Sequence, residues 1–587
     1  MNVRRLVPSR VPFPFSFSAP ATWLQPVRPI SLELLALVVS AYFSLLCNSM
    51  LWQHVFADRS WSEPGTWLFG ASMFIGVTAL QWGLIALILT RRTARWTLAL
   101  LLLSTALAVH FMRTYNVFLD PDMLRNVIRT DVKEASELLS WRLLWDLAWM
   151  AVLPICILWR LPLADLPWRR AVVQRTLTVV LALGVCVAAV LLVFQDFAAV
   201  ARNHREWRFL VTPINSVYSL ARVGAASARG AVKPQAPIGA DARLGLSWAV
   251  RDKPVLFVIV VGETARAANW GLNGYARQTT PELAQLDVLN FSNVTSCGTN
   301  TETSLPCMFS PWGRRDYDED RIRGHQSLVH VLAHSGLQVL WRDNQSGCKG
   351  VCAGLPMQQP DAAQYPALCA GEHCFDQVLL EGLEGWLAEG GTRGSTQPAA
   401  GSRVLVLHQL GSHGPAYYRR YPEEFRHFTP TCDTSELRKC SQAEIVNAYD
   451  NSLLYTDHVV AQAIRLLKQQ ESRYDTALIY LSDHGESLGE HNLFLHGMPR
   501  AIAPREQTQI PMVMWMSPGF SAGLGLDMGC LRSHAAAPAS HDNLFHSVLG
   551  LLDVQTGVYD SKFDLAQPCR HLQVPAVART ALVPRPS

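Results

Sequence analysis

Five apolar windows, at 31–52, 66–90, 96–115, 143–163 and 176–195, dominate the first third of the chain. Each reaches the roughly 20 residues that cross a bilayer as a helix. The second has no charged residue and the fifth none before Asp196, whereas a helix of a soluble domain needs a polar face. About 30 residues of mixed Pro, Phe and Arg precede the first window, which argues against a cleaved signal peptide. After Pro254 the pattern changes to short apolar runs that end in polar residues: VLFVIVVGET, LQVLWRDN, VLVLHQLGSH, ALIYLSDHGE and PMVMWMSPG. Continuous apolar runs that alternate with helical stretches such as 447–469 predict an α/β fold whose mostly parallel sheet is buried on both faces. Between the two regimes, Arg202, Arg205, Trp207 and Arg208 are followed by AASARGAVKPQAPIGA, which predicts an interfacial helix and then a linker. The expected organisation is therefore a five-span membrane domain (1–200), a bridging segment (201–250) and a catalytic domain (251–587).

Composition sharpens this picture. Of 587 residues only 17% are charged and 49% are hydrophobic, as a part-membrane chain requires. The net charge of +4 and the lack of a basic block in the second half exclude a nucleic-acid partner. Arg4, Arg5, Arg10 and Arg28, then Arg91, Arg92 and Arg95, then Arg169, Arg170 and Arg175, mark three segments as cytoplasmic. Five spans then leave everything after residue 200 outside. Cysteine usage agrees: Cys47, Cys156 and Cys186 lie in the spans, and the other ten all follow residue 290, as in a disulfide framework of an oxidising compartment. Proximity pairs Cys297 with Cys307, Cys348 with Cys352, Cys369 with Cys374 and Cys432 with Cys440, and leaves Cys530 and Cys569 unassigned.

The chemistry gathers at strand ends, where an α/β sheet places its site. Glu263, Asp343, His408, His413, Asp483 and His484 all lie there. Two carboxylates and an imidazole, Glu263, Asp483 and His484, form a ligand set suited to Zn²⁺ or another divalent ion. The segment SCGTNTETSLPCMFS offers Thr299, Thr301, Thr303 and Ser304 as nucleophiles that a bound cation could activate. Local composition does not choose among these hydroxyls, and taken alone it favours a plain Ser/Thr-rich turn.

The ordered set VVGETARAANWGLNGY, SCGTNTETSLPCMFS, WRDNQSGCKGVC, HQLGSHGPAYYRRYP, SDHGESLGEHNLFLHGMP and the membrane-side DMLRNVIRTDVKEA resembles the lipid A phosphoethanolamine transferases, including the mobile colistin-resistance enzymes, of the alkaline phosphatase and sulfatase superfamily. The resemblance implies an alkaline-phosphatase-like fold and Thr301 as the nucleophile. It also implies zinc held by Glu263, Thr301, Asp483 and His484, with His413 and His496 binding a second zinc or the phosphoethanolamine group. Lys349 is implied beside the substrate phosphate, Glu486 as a neighbouring carboxylate, and Asn126 and Thr130 as substrate contacts from the membrane side. Gln345 stands where the family often has Asn, and Asn300, Glu302 and Thr303 depart from an Ala-rich version of the nucleophile loop.

The function implied is transfer of phosphoethanolamine from phosphatidylethanolamine to a lipid A phosphate through a threonine-linked intermediate. A monomer of the bacterial inner membrane with a periplasmic catalytic domain is expected, and resistance to polymyxin as the outcome. The rival readings keep the chemistry but change the acceptor, to a lipopolysaccharide core sugar or other glycan, or to water as in a phosphodiesterase or phosphatase. A sulfatase would need a C/S-x-P-x-R motif, which does not occur. A transporter would need coupling residues within the spans, where only Glu33, His110 and Asp146 qualify, near ends or isolated.

Overall fold

The computed structural model describes residues 29–571 except 58, 130–134, 136–137, 204, 231–233, 371–372 and 390–400. Thr130 therefore lies outside the described residues. In the membrane part, α1 (Leu32–Tyr42) and α2 (Ser49–Phe56) form an apolar pair bent by 59°. It is followed by α3 (Pro64–Ile88), α4 (Ala94–Tyr115), α5 (Pro121–Arg129), α6 (Trp141–Arg160) and α7 (Trp168–Leu192). Among the described residues, the four helices α3, α4, α6 and α7 are each long and apolar enough to cross a membrane, and counting the bent pair as one span brings the total to five.

Local chemistry explains the helix ends and the bend. Ser31 and Ser140 accept from Leu34 N and Leu143 N at the starts of α1 and α6, and Pro64 opens α3 where its missing N–H is no loss. At the α1–α2 break the buried Asn48 amide donates to the carbonyls of Phe43 and Thr212, both at 2.9 Å, and accepts from Thr212 N at 2.8 Å. Gln81 donates to the same Thr212 carbonyl at 2.9 Å. The loop at 212 can thus enter the helical bundle with its backbone groups satisfied. Small residues let α3 and α7 approach: the Cα hydrogens of Gly76 and Gly83 face Ala189 and Ala182. His110 and Asp146 are not isolated, because they pair across α4 and α6 at 2.7 Å. Sequence spacing alone, 36 residues apart, gave no sign of it.

The bridge is more helical than expected. After α8 (Phe194–Asn203), helix α9 (Ile214–Gly230) takes in the AASARG run assigned to the linker. Ala is the best helix former, and three of these six residues are Ala.

The outer part is built on an eight-stranded sheet of β1 (Val255–Gly262), β2 (Leu289–Thr295), β3 (Gln338–Asp343), β4 (Met357–Gln358), β5 (Arg403–His408), β6 (Asp475–Ser482), β7 (Gln509–Met516) and β8 (Ala539–Ser540), in spatial order β8-β2-β7-β6-β1-β5-β3-β4. Every described pairing is parallel except those of β7, which runs antiparallel to β2 and β6. The PMVMWMSPG run is therefore a strand but a reversed one, and it brings its amino end, at Gln507 and Thr508, to the edge where the others end. β1 and β6 are buried at every position. On one face Phe257, Ile259 and Val261 pack with Leu305 and Trp341. On the other, Leu256, Val258 and Val260 pack beneath the helix Gln442–Gln469.

All ten outer cysteines are bonded. The four proximity pairs form, and Cys530 joins Cys569 across 39 residues. Contacts among the described residues hold the outer part to the membrane part. Arg125 of α5 pairs with Glu319 at 2.8 Å, Arg438 donates to Thr114 O at 2.9 Å, and Met498 packs among Met50, Leu51 and Met112.

Candidate active site

The carboxyl ends of β1 and β6, which are neighbours, place Glu263 and Asp483–His484 side by side. Asn300 caps the helix Thr301–Met308 by accepting from Thr303 N, so Thr301 occupies its first turn. The Thr301 hydroxyl lies 3.0 and 3.2 Å from the two Glu263 oxygens and 3.4 Å from His484 Nε2. His484 Nε2 in turn is 3.3 Å from both Glu263 Oε1 and Asp483 Oδ2. The loop carrying Thr301 is tied down by the Cys297–Cys307 bridge, by Cys297 N donating to His541 Nδ1 at 3.0 Å, and by Gly497 N donating to Thr299 O at 2.7 Å.

These residues fit a divalent cation. Glu263, Asp483 and His484 are buried and offer three ligand atoms that lie within 4.8 Å of one another. His484 Nδ1 sits 2.9 Å from the Gly485 carbonyl. It must be the protonated nitrogen, which leaves the Nε2 lone pair facing the carboxylates. Asp483 Oδ1 accepts from His484 N and Thr264 N, whereas the buried Oδ2 has no hydrogen-bond partner. Lone pairs aimed at one point without an intervening proton are what a cation satisfies. A second group, Cys530, His534 and Cys569, has metal-like spacing, but the Cys530–Cys569 bond commits both sulfurs. Only His534 remains to ligate there.

Around this centre the structure gathers three imidazoles. The rings of His484 and His496 are 4.4 Å apart and those of His496 and His413 are 5.4 Å apart. Glu486 is fully buried. Its Oε1 accepts from the Tyr417 hydroxyl at 2.5 Å and its Oε2 from His496 Nδ1 at 2.8 Å, so it positions His496 rather than facing open space. Burial, followed by the neighbouring His496 and Arg420 charges, pushes His413 well below the usual imidazole range. The ring is therefore neutral at pH 7. Burial, with Glu486 adding to it, pushes Tyr417 well above the usual phenol range, so it stays a donor.

Lys349 donates to Ser346 Oγ and lies 4.0 Å from Glu302, whose other oxygen pairs with Arg323 at 2.8 Å. Asn126 is a partly buried residue of α5. Gln345 Oε1 accepts from Ser346 N and Oγ.

Backbone strain concentrates here. Thr264, Lys349 and Leu495, flanking or forming the site, have φ of 53°, 48° and 64°, values unusual for residues other than Gly, Asn and Asp. Gly411 has a physical necessity: with φ 53° its added Cβ would meet Glu263 O at 2.6 Å.

Other contributors carry little signal in the sequence. Buried Asp376 accepts from Leu410 N and Gly411 N, both at 2.8 Å, and so holds the loop that presents His413. His541 bonds to Ser482 O at 2.9 Å, next to Asp483. The strand-end pair Asp343–His408, 2.7 Å apart, was visible as polar residues but not as a pair. Burial opposes ionisation of both partners, yet their mutual attraction raises His408 and lowers Asp343 from their ordinary values.

A mostly parallel sheet with a hydroxyl at a helix start, facing a buried carboxylate–carboxylate–imidazole set, defines a metal-assisted transfer enzyme of the sulfatase type. The family model described as Sulfatase matches residues 256–554, and that of the phosphoethanolamine transferases EptA/EptB matches 77–228. The chain is 36% identical over 558 residues to phosphoethanolamine transferase EptA of Escherichia coli (strain K12), covering 93% of this chain and 98% of that protein. It is 36% identical over 496 residues to phosphatidylethanolamine transferase Mcr-1 of Escherichia coli, covering 83% and 87%. The integral membrane lipooligosaccharide phosphoethanolamine transferase A of Neisseria meningitidis superposes with a TM-score of 0.87 at 34% identity, over 93% of this chain and 100% of that one. The chain belongs to the phosphoethanolamine transferase family.

Proposed function

We propose that this enzyme takes phosphoethanolamine from phosphatidylethanolamine and places it on a phosphate of lipid A, at the periplasmic face of a bacterial inner membrane. The observation that carries the reading is the Thr301 hydroxyl, 3.0 Å from Glu263 and 3.4 Å from His484, on a domain bonded to the membrane helices through Arg125 and Arg438. Glu263, Asp483 and His484, with Thr301, would hold the zinc ion. When bound, that ion supplies positive charge that favours loss of the hydroxyl proton and offsets charge on the phosphate oxygens.

The Thr301 oxygen bonds to phosphorus, the bond from phosphorus to the glycerol oxygen breaks, and diacylglycerol leaves with a proton. An oxygen of the acceptor phosphate then bonds to the same phosphorus, and Thr301 regains its hydroxyl. His496 exchanges protons through Nε2, because Nδ1 is committed to Glu486. His413, a neutral ring, accepts a proton in transit, and the Lys349 ammonium attracts the transferred phosphate. We read residues 1–200, 201–250 and 251–587 as membrane, bridging and catalytic parts, with Asn126 and Thr130 contacting substrate from the membrane side. An ammonium group added to lipid A weakens its attraction for cationic peptides such as polymyxin.

Mass analysis of lipid A from a host with and without the gene tests this. One added phosphoethanolamine is expected, lost with Thr301→Ala, and His484→Ala is expected to lose bound zinc as well. Unmodified lipid A beside a modified core sugar would overturn the acceptor assignment.

A further inference from the structure

Beside the catalytic loop lies a second concavity, of about 260 Å³, lined among others by Cys297, Arg314, Arg315, Arg500, Ser540 and Asp542. Its placement ties it to the reaction. One wall is the end of β2 and Cys297, four residues before Thr301. Another is Arg500, two residues after Met498, which packs against the membrane helices. The pocket therefore borders both the segment that carries Thr301 and the segment that carries Met498.

Three guanidinium groups line this space, and among the described residues none is ion-paired. The one carboxylate in the wall, Asp542, spends its two oxygens on the backbone N–H groups of Arg314 and Arg315. Arg315 donates to Pro311 O at 2.9 Å and lies over the Phe563 ring at 3.6 Å. Arg314 lies 4.9 Å from the Tyr317 ring centroid. Arg500 makes no hydrogen bond or ion pair to a described residue, and its Nε is buried without a partner. Burial, with the Arg314 charge adding to it, lowers the pKa of Arg500. His541, also in the wall, is pushed down to about 4 by burial and contributes no charge at pH 7. Three guanidinium groups thus face one carboxylate, and the surplus of positive charge favours an added anion. Guanidinium forks match the oxygens of a phosphate.

We propose that Arg314, Arg315 and Arg500 bind a phosphate of the lipid acceptor other than the one that reacts, and so hold a polyanionic acceptor in register with Thr301. This rests on the acceptor reading above. The pocket recognises a phosphate monoester, and a phospholipid head group could supply the same chemistry; the experiment separates the two.

Full-length enzyme in bilayer discs containing phosphatidylethanolamine is given either bisphosphorylated lipid A or lipid A lacking one phosphate. Both phosphoethanolamine transfer and diacylglycerol release are followed, for the parent, Arg500→Gln and the Arg314→Gln/Arg315→Gln double variant. The expected result is a rise in KM for the bisphosphorylated acceptor of about tenfold or more in each variant, and a fall in the ratio of transfer to diacylglycerol release. The monophosphorylated acceptor should show a high KM with the parent and little further rise. Arg500→Lys keeps the charge and should recover most of the lost affinity, which a packing defect would not. Equal losses with both acceptors, an unchanged acceptor KM, or diacylglycerol release falling in step with transfer would overturn the assignment, the last by placing the donor phosphate there. Failure of the acceptor reading looks different: the parent itself would release diacylglycerol and modify neither lipid A.

Discussion

Glu486 shows how a residue can matter without touching the reacting atoms. Its carboxylate is saturated by Tyr417 and by His496 Nδ1, so its role is to fix which His496 nitrogen faces the site. Glu486→Gln should lower kcat by about 10- to 100-fold, the usual effect of removing such a partner, and shift the pH profile while zinc content stays whole. Loss of zinc without a change in the profile would assign it a different role. His541 carries a stability prediction. Burial moves it from 6.5 to about 4, so between those values the unfolded chain takes up a proton that the folded chain refuses. Its contribution is intact above about 6.5 and is lost as pH falls toward 4, on the order of 3 kcal/mol in all. Denaturant midpoints should drop across that window, and less so in His541→Gln; a midpoint flat from neutral to acid pH would contradict this.

At the scale of elements, the close approach of the GSHG loop to β1 is the most exposed to a small change. Gly411→Ala would put a methyl 2.6 Å from Glu263 O at φ 53°. It should destabilise by more than about 1 kcal/mol and lower zinc affinity by displacing Glu263, read by thermal melts and metal titration; an unperturbed melt would show that the loop relaxes freely. Elements are also where the sequence spoke most plainly. The strands β1, β3, β5, β6 and β7 are continuous apolar runs with a polar residue at the end, and that pattern survives translation into structure, with Glu263, Asp483 and His484 brought together where two of the strands end. What stayed hidden depends on pairings between distant segments. The reversal of β7 is set by its neighbours and not by its own composition. β2, LNFSNVT, alternates too irregularly to stand out. Asp376 and His541 act by bonding to backbone groups 34 and 59 residues away, a relation that no local spacing reveals. Cys530–Cys569 was illegible for the same reason, since the two lie 39 residues apart.

For the molecule as a whole, the outer part that carries the site is held to the membrane part. Arg125 reaches Glu319, which pairs with Arg323 at 2.9 Å, and Arg323 pairs with Glu302, the residue after Thr301. That chain of charges connects α5 with the helix that begins at Thr301. The proposed transfer requires a covalent intermediate at the Thr301 hydroxyl. Rapid quenching of full-length enzyme supplied with phosphatidylethanolamine and no acceptor, followed by peptide mass spectrometry, reads it directly. One phosphoethanolamine group is predicted on Thr301, absent in Thr301→Ala and discharged on adding lipid A, whereas an adduct on another side chain, or diacylglycerol release with no adduct at any time, would contradict it.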